Sequence, residues 1–94
     1  MKVKIIVNNK FFKEFNQFPI SIGRRDDNDL IINDILTSRI HCVLYNESEN
    51  IYIADLKSTN GTFINKKLLS TPQTITKKDK IFIGNTLLNI ICEN

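Results

Sequence analysis

The chain has 94 residues, with 13 Lys and Arg against 10 Asp and Glu for a net charge of +3. That length suits one domain with one core and leaves no room for a deep catalytic cleft. Hydrophobic residues at 41% and charged residues at 24% are ordinary globular values and exclude a wholly disordered chain.

In chain order, Met1-Lys2-Val3-Lys4 resembles the charged start of a signal peptide, but Asn8-Asn9 interrupts the apolar run at once. Val3, Ile5 and Val7 alternate as a half-buried strand does, and Asn8-Asn9-Lys10 reads as a turn. Phe11, Phe12, Phe15 and Phe18 are expected to form the core of a hairpin. Phe18, Ile20 and Ile22 alternate again, Gly23 closes that strand, and Asp26-Asp27-Asn28-Asp29 is a polar turn. Ser38-Arg39-Ile40-His41 leads into a strand expected over 38–45. Asn46 to Asn50 turn the chain, Ile51 and Ile53 alternate, and Ser58-Thr59-Asn60-Gly61 forms a loop. Lys77-Lys78-Asp79-Lys80 precedes Ile81-Phe82-Ile83, and Gly84-Asn85 separates it from Leu87-Leu88-Asn89-Ile90-Ile91. These last two segments read as strands buried on both faces or nearly so. No window shows helical apolar spacing between caps. The pattern predicts an all-β fold: a twisted sandwich of two antiparallel or mixed sheets, with residues 1–94 as a single domain.

No apolar run approaches the ~18 residues of a membrane span, and with no export signal a cytoplasmic address is expected. Cys42 and Cys92 lack CxxC spacing and companion histidines, so no zinc site is expected; with no export signal both are expected to be reduced and buried, a disulfide between them being the alternative. No metal or other cofactor is expected.

Several chemistries fail on spacing. Ser38, His41 and Asp55 suggest a hydrolase triad, but Ser38 and His41 would face opposite ways on a strand, and no nucleophile elbow surrounds Ser38. Asp26-Asp27-Asn28-Asp29 lacks the order and later Glu of a calcium loop. The ten lysines are scattered among acids and no aromatic platform accompanies them, so neither nucleic acid nor catalysis is expected.

A better constellation joins Gly23-Arg24, Ser38-Arg39-Ile40-His41, and Asp55-Leu56-Lys57-Ser58-Thr59-Asn60-Gly61-Thr62. Each lies where strand and loop meet, and in a sandwich such loops share one end. Together they supply guanidiniums, hydroxyls and a carboxamide without a general base, a set suited to holding a phosphate. All three arginines of the chain (Arg24, Arg25, Arg39) fall within these segments or beside them.

These motifs, in this order, resemble the forkhead-associated (FHA) domain family, a phosphothreonine-recognition module. Asn28-Asp29-Leu30-Ile31-Ile32, Asp55-Leu56 and Asp79-Lys80-Ile81-Phe82-Ile83-Gly84 extend the likeness over nearly the whole chain. Lys78 stands where Gly is common before the Asp, and Cys42 replaces a usual Ala. The resemblance implies an eleven-stranded β-sandwich with ligand loops at one end, usually one module of a longer protein. It implies that Arg24, Ser38, Arg39 and Thr59 contact the phosphate and Asn60 the peptide main chain. Gly23, His41 and Gly61 would support the loops, Arg25 would be a solvated neighbour, and Leu36 would meet an apolar residue third after the phosphothreonine. The expected partner is a phosphothreonine-containing protein or peptide, such as a Ser/Thr kinase or its substrate, with no membrane or nucleic acid. The alternatives are a phospho-independent interaction domain on the same fold and, more distantly, a nucleic-acid-binding β-domain.

Overall fold

The alternation at the start of the chain folds as β1 (Lys2–Val7), with Val3 and Ile5 pointing inward and Lys2 and Lys4 outward. It is the first of eleven strands in a computed structural model that describes residues 1–93. The others are β2 (Lys10–Phe15), β3 (Ile20–Gly23), β4 (Leu30–Ile31), β5 (Cys42–Glu47) and β6 (Asn50–Asp55), followed by β7 (Thr62–Ile64), β8 (Lys67–Leu68), β9 (Gln73–Ile75), β10 (Ile81–Ile83) and β11 (Thr86–Glu93).

Two sheets result, in the orders β2-β1-β11-β10-β7-β8 and β4-β3-β5-β6-β9. Every pairing is antiparallel except β3 with β4, so the smaller sheet is mixed. Register follows the apolar pattern, because a one-residue slip would turn each inward side chain to solvent. Ile20 lies opposite Leu44, and Leu44 opposite Ile53, all fully buried. Across the core the larger sheet contributes Val3, Ile5, Ile64, Ile81, Ile83 and Leu88. The eleven-stranded sandwich implied by the motifs is the fold observed.

Strand direction then sorts the connections. The segments after β3, before β5, between β6 and β7, and between β10 and β11 gather at one end. The β7–β8 turn and the β9–β10 loop lie at the other, where Asn65 ties them by accepting from Lys80 N–H (3.0 Å) and donating to Asp79 Oδ1 (2.7 Å).

Four expectations are corrected. Phe11 and Phe12 are 63% and 48% exposed, since β2 is an edge strand whose pairing with β1 is interrupted by a bulge; only Phe15 and Phe18 pack on the core. Residues 38–41 form a loop, and the strand begins at Cys42. In β10 and β11 only the inward residues are buried, with Phe82, Leu87 and Ile91 half-buried on the outer face. Both cysteines are free, but Cys42 is buried and Cys92, near the end of β11, is exposed.

Ile53→Ala, at a fully buried position, should lower unfolding free energy by about 3 kcal/mol in urea denaturation. Ile35→Ala, at a residue 89% exposed, should stay within about 0.5 kcal/mol of the parent.

Candidate functional site

The site begins with a close approach of two backbones. A Cβ on Gly23 would fall on the carbonyl of Arg39, so only glycine lets the end of β3 lie against the loop before β5. Arg24 N–H donates to Ser38 O (2.9 Å), Arg25 N–H to Arg39 O (3.1 Å), and His41 N–H to Ile22 O (2.9 Å). Asn28 braces this seam, its Nδ2 donating to the carbonyls of Arg25 and Arg39, both at 2.8 Å. Arg24 Nε donates to Thr37 O (3.0 Å), which aims the guanidinium along the loop while its terminal nitrogens face solvent.

Ser38 joins this seam to the β6–β7 loop. Its Oγ accepts from Thr59 N–H (2.9 Å) and keeps a proton to donate outward. Its N–H donates to His41 Nδ1 (3.0 Å). An Nδ1 that accepts must be unprotonated, so the imidazole carries its proton on Nε2 and donates it to Gly61 O (2.9 Å). His41 is fully buried and spans from one loop to the other. The alternation argument against a triad therefore does not apply, because 38–41 is a loop. The histidine nonetheless meets the amide of Ser38 and not its hydroxyl.

Asp55 shapes the second loop. Its Oδ2 accepts from Ser58 N–H (2.9 Å), and its Oδ1 from Ser58 Oγ (2.6 Å) and Thr62 Oγ1 (2.7 Å). Ser58 Oγ in turn accepts from Gly61 N–H (3.0 Å), and Gly61 takes the left-handed backbone (φ +86°) that the turn requires. Burial pushes the Asp55 carboxyl upward, but the hydrogen bonds from Ser58 and Thr62 outweigh it and leave the group below its ordinary value. Such a depressed carboxylate stabilises the loop above the ordinary carboxylate range, and that contribution is lost as pH falls through its lowered value. Asn60 Nδ2 donates to Leu36 O (3.0 Å), so the loop also grips the segment before Ser38.

That segment is held from below by Asp34, whose carboxylate accepts from Leu36 N–H (2.9 Å), Asn85 N–H (2.7 Å) and Thr86 Oγ1 (3.1 Å). The amides of Leu36 and Asn85 hold its carboxyl below the usual range. Arg25 pairs with Asp27 (2.6 Å), so its charge is compensated locally.

The structure thus places Arg24, Ser38, Thr59, Asn60, Gly23, His41, Gly61 and Leu36 in one hydrogen-bonded assembly. Arg39 joins through its backbone carbonyl, with its side chain exposed. Asn28, Asp34 and Asp55 organise the site without having been assigned to it from sequence. Asn28 and Asp55 lay within motifs already singled out. Asp34 carried no signal, because its partners Asn85 and Thr86 lie more than fifty positions away.

The FHA domain family model matches residues 20–84, which span the whole assembly. FHA domain-containing protein FhaB of Mycolicibacterium smegmatis is 32% identical over 72 residues, covering 77% of this chain and 46% of that protein. The chain therefore spans about half the length of that relative. Among solved structures, Mycobacterium tuberculosis EmbR in complex with a low-affinity phosphopeptide superposes with a TM-score of 0.87 at 23% identity, over 96% of this chain and 24% of that one. An FHA domain from a structural and functional analysis of phosphothreonine-dependent FHA domain interactions gives 0.87 at 22% identity, covering 100% and 99%. At these identities the superpositions speak for the fold.

His41→Ala removes both loop-bridging hydrogen bonds from a buried position. It should cost at least about 2 kcal/mol of stability, seen as a lowered melting temperature. Nitrogen-15 NMR of the parent should show the Nε2-protonated tautomer.

Proposed function

The chain belongs to the forkhead-associated (FHA) domain family, and we propose that it binds phosphothreonine-containing segments of partner proteins through the loops that His41 joins. The supporting observation is the convergence of Arg24, Ser38, Thr59 and Asn60 in one network that leaves outward-facing donors and no general base.

Arg24 presents the terminal nitrogens of its guanidinium, a planar fork able to bind two phosphate oxygens. Ser38 Oγ donates a neutral hydrogen bond beside it. Arg39 and Thr59 add phosphate contacts from either loop. The Oδ1 of Asn60 has no partner among the described residues and is available to a main-chain N–H of an extended peptide, while its Nδ2 stays on Leu36. Leu36 is 40% exposed and offers an apolar contact for the third residue after the phosphothreonine. Gly23, His41 and Gly61 act by holding the loops in place.

No step in this scheme makes or breaks a covalent bond, so the reading is of a binding module and not an enzyme. Its partner is a phosphorylated protein such as a Ser/Thr kinase or a kinase substrate, consistent with the phosphopeptide bound to EmbR. We take residues 1–94 as a single domain of a longer protein. A cytoplasmic setting fits two unpaired cysteines, one of them exposed.

A phosphothreonine peptide should bind far more tightly than its unphosphorylated twin in isothermal titration. Arg24→Ala should weaken it by at least about 1.5 kcal/mol with the thermal melt nearly unchanged. Affinity should fall with added salt, and with acidification through the phosphate pKa near ~6. Equal affinity for the two peptides would refute the reading.

A further inference from the structure

Among the described residues no element covers the outer face of the six-stranded sheet, and although Lys2 and Lys4 also point outward from β1, a run of apolar side chains crosses it. Leu68 of β8 lies opposite Phe63 of β7, Phe63 opposite Phe82 of β10, and Phe82 opposite Leu87 of β11. Asn89, two residues on from Leu87 and therefore on the same face, lies opposite Ile6 of β1, and Ile6 opposite Phe11 of β2. Leu68, Phe63, Phe82 and Leu87 thus form one apolar row over four strands, and Ile6 and Phe11 lie a diagonal step beyond it, past Asn89. Phe11 and Leu68 are 63% and 60% exposed, and Phe63 is 36% exposed. An isolated exposed Leu or Phe needs no explanation, whereas a contiguous row across four strands marks an interaction surface.

The charge around the row is one-sided where it is best shaped. Beside Phe82 lies a cavity of about 280 Å³ lined by Asn65, Lys66, Lys78, Lys80 and the phenyl ring. The acid nearest in sequence, Asp79, directs its carboxylate to Asn65 Nδ2 (2.7 Å) and Thr76 N–H (2.8 Å) and forms no ion pair with the lysines, so three ammonium groups face one carboxylate and the local charge stays positive. Asn65 clamps the two lysine-bearing turns together, which keeps the backbones that carry Lys66, Lys78 and Lys80 side by side. The rim comprises exposed lysines without arginine, and aromatic carbon lies between them. That combination suits carboxylates flanking an apolar side chain better than it suits a single phosphate, which an Arg fork would grip. The cavity also lies at the end of the sandwich away from the phosphate-reading loops.

We propose that this face is a second, phosphorylation-independent docking surface for an acidic segment of a partner protein that carries an aromatic or aliphatic residue. The apolar side chain covers Phe82 and Phe63, and flanking Asp or Glu side chains meet Lys66, Lys78 and Lys80. Its lysine-rimmed end operates independently of the loops around Ser38, while Leu68, at the other end of the row, lies against Gly61 of the phosphate-reading loop. A partner that is both acidic and phosphorylated would engage both ends at once, with the affinity gain of a linked second contact.

The test uses two fluorescent, unphosphorylated peptides of equal length. One alternates Glu and Asp around a central Phe and Leu; the other has Lys and Arg in place of every acid. Anisotropy should show saturable binding of the acidic peptide only. Lys78→Glu combined with Lys80→Glu should weaken it about tenfold or more while leaving phosphothreonine-peptide affinity unchanged. Phe63→Ser, at a partly exposed site, should weaken it as well, whereas Arg24→Ala should not. The proposal is overturned if the acidic peptide does not bind, if its charge-swapped counterpart binds equally, or if the lysine variant binds as the parent does. Saturable binding of vesicles containing phosphatidylserine, or self-association on dilution series, that depends on Phe63 with no peptide binding would assign the face to a lipid surface or a second copy and reject it.

Discussion

One buried imidazole holds the binding end together. His41 takes the Ser38 amide on Nδ1 and gives its Nε2 proton to the carbonyl of Gly61, so a single side chain fixes the distance between loops twenty residues apart. The remaining ties depend on that spacing. Ser38 Oγ can accept from Thr59, and Asn60 can reach Leu36, only while the two loops stay in register. Gly23 and Gly61 supply the backbone conditions: a contact too close for any Cβ at the first, and a left-handed turn at the second. The energy of each hydrogen bond is modest, but a buried donor left without its acceptor costs more than the bond contributed. That asymmetry favours a site that is fully assembled over one that is partly so.

Placement of charge matters here more than its amount. The net charge of +3 comes mostly from lysines spread over the surface. Arg25, although adjacent to Arg24, is compensated by Asp27, whereas Arg24 is tethered through Nε alone and keeps the rest of its fork. Two neighbouring guanidiniums of the same chain thus differ in what they offer an anion. The lysines of the β7–β8 and β9–β10 turns outnumber the one acid among them, Asp79, whose carboxylate is directed to Asn65 and the Thr76 amide and forms no ion pair with them.

Much of the fold was legible because strand burial is written with a period of two, and Val3, Ile5, Ile20, Ile22, Ile51 and Ile53 follow it inward. The site segments were legible because their rare residues recur in order. What was not legible depended on context beyond the local pattern. Phe11 and Phe12 read as core, but sequence does not reveal that β2 is an edge strand with a bulge. Ser38 to His41 read as strand, whereas the imidazole turns back on the Ser38 amide and keeps those residues a loop. Phe82 and Leu87 read as buried on both faces, and nothing local announces that one face of their sheet is left uncovered. Asp34 was missed because its role is set by a turn distant in sequence.

The most direct test of the account is the amide NMR spectrum of the labelled protein titrated with a phosphothreonine peptide and with its unphosphorylated twin. The account predicts phosphate-dependent shifts confined to Arg24, Ser38, Arg39, Thr59, Asn60, Gly61 and their immediate neighbours, with a further signal from the His41 ring. Shifts of equal size with both peptides, or shifts centred away from these loops, would contradict it.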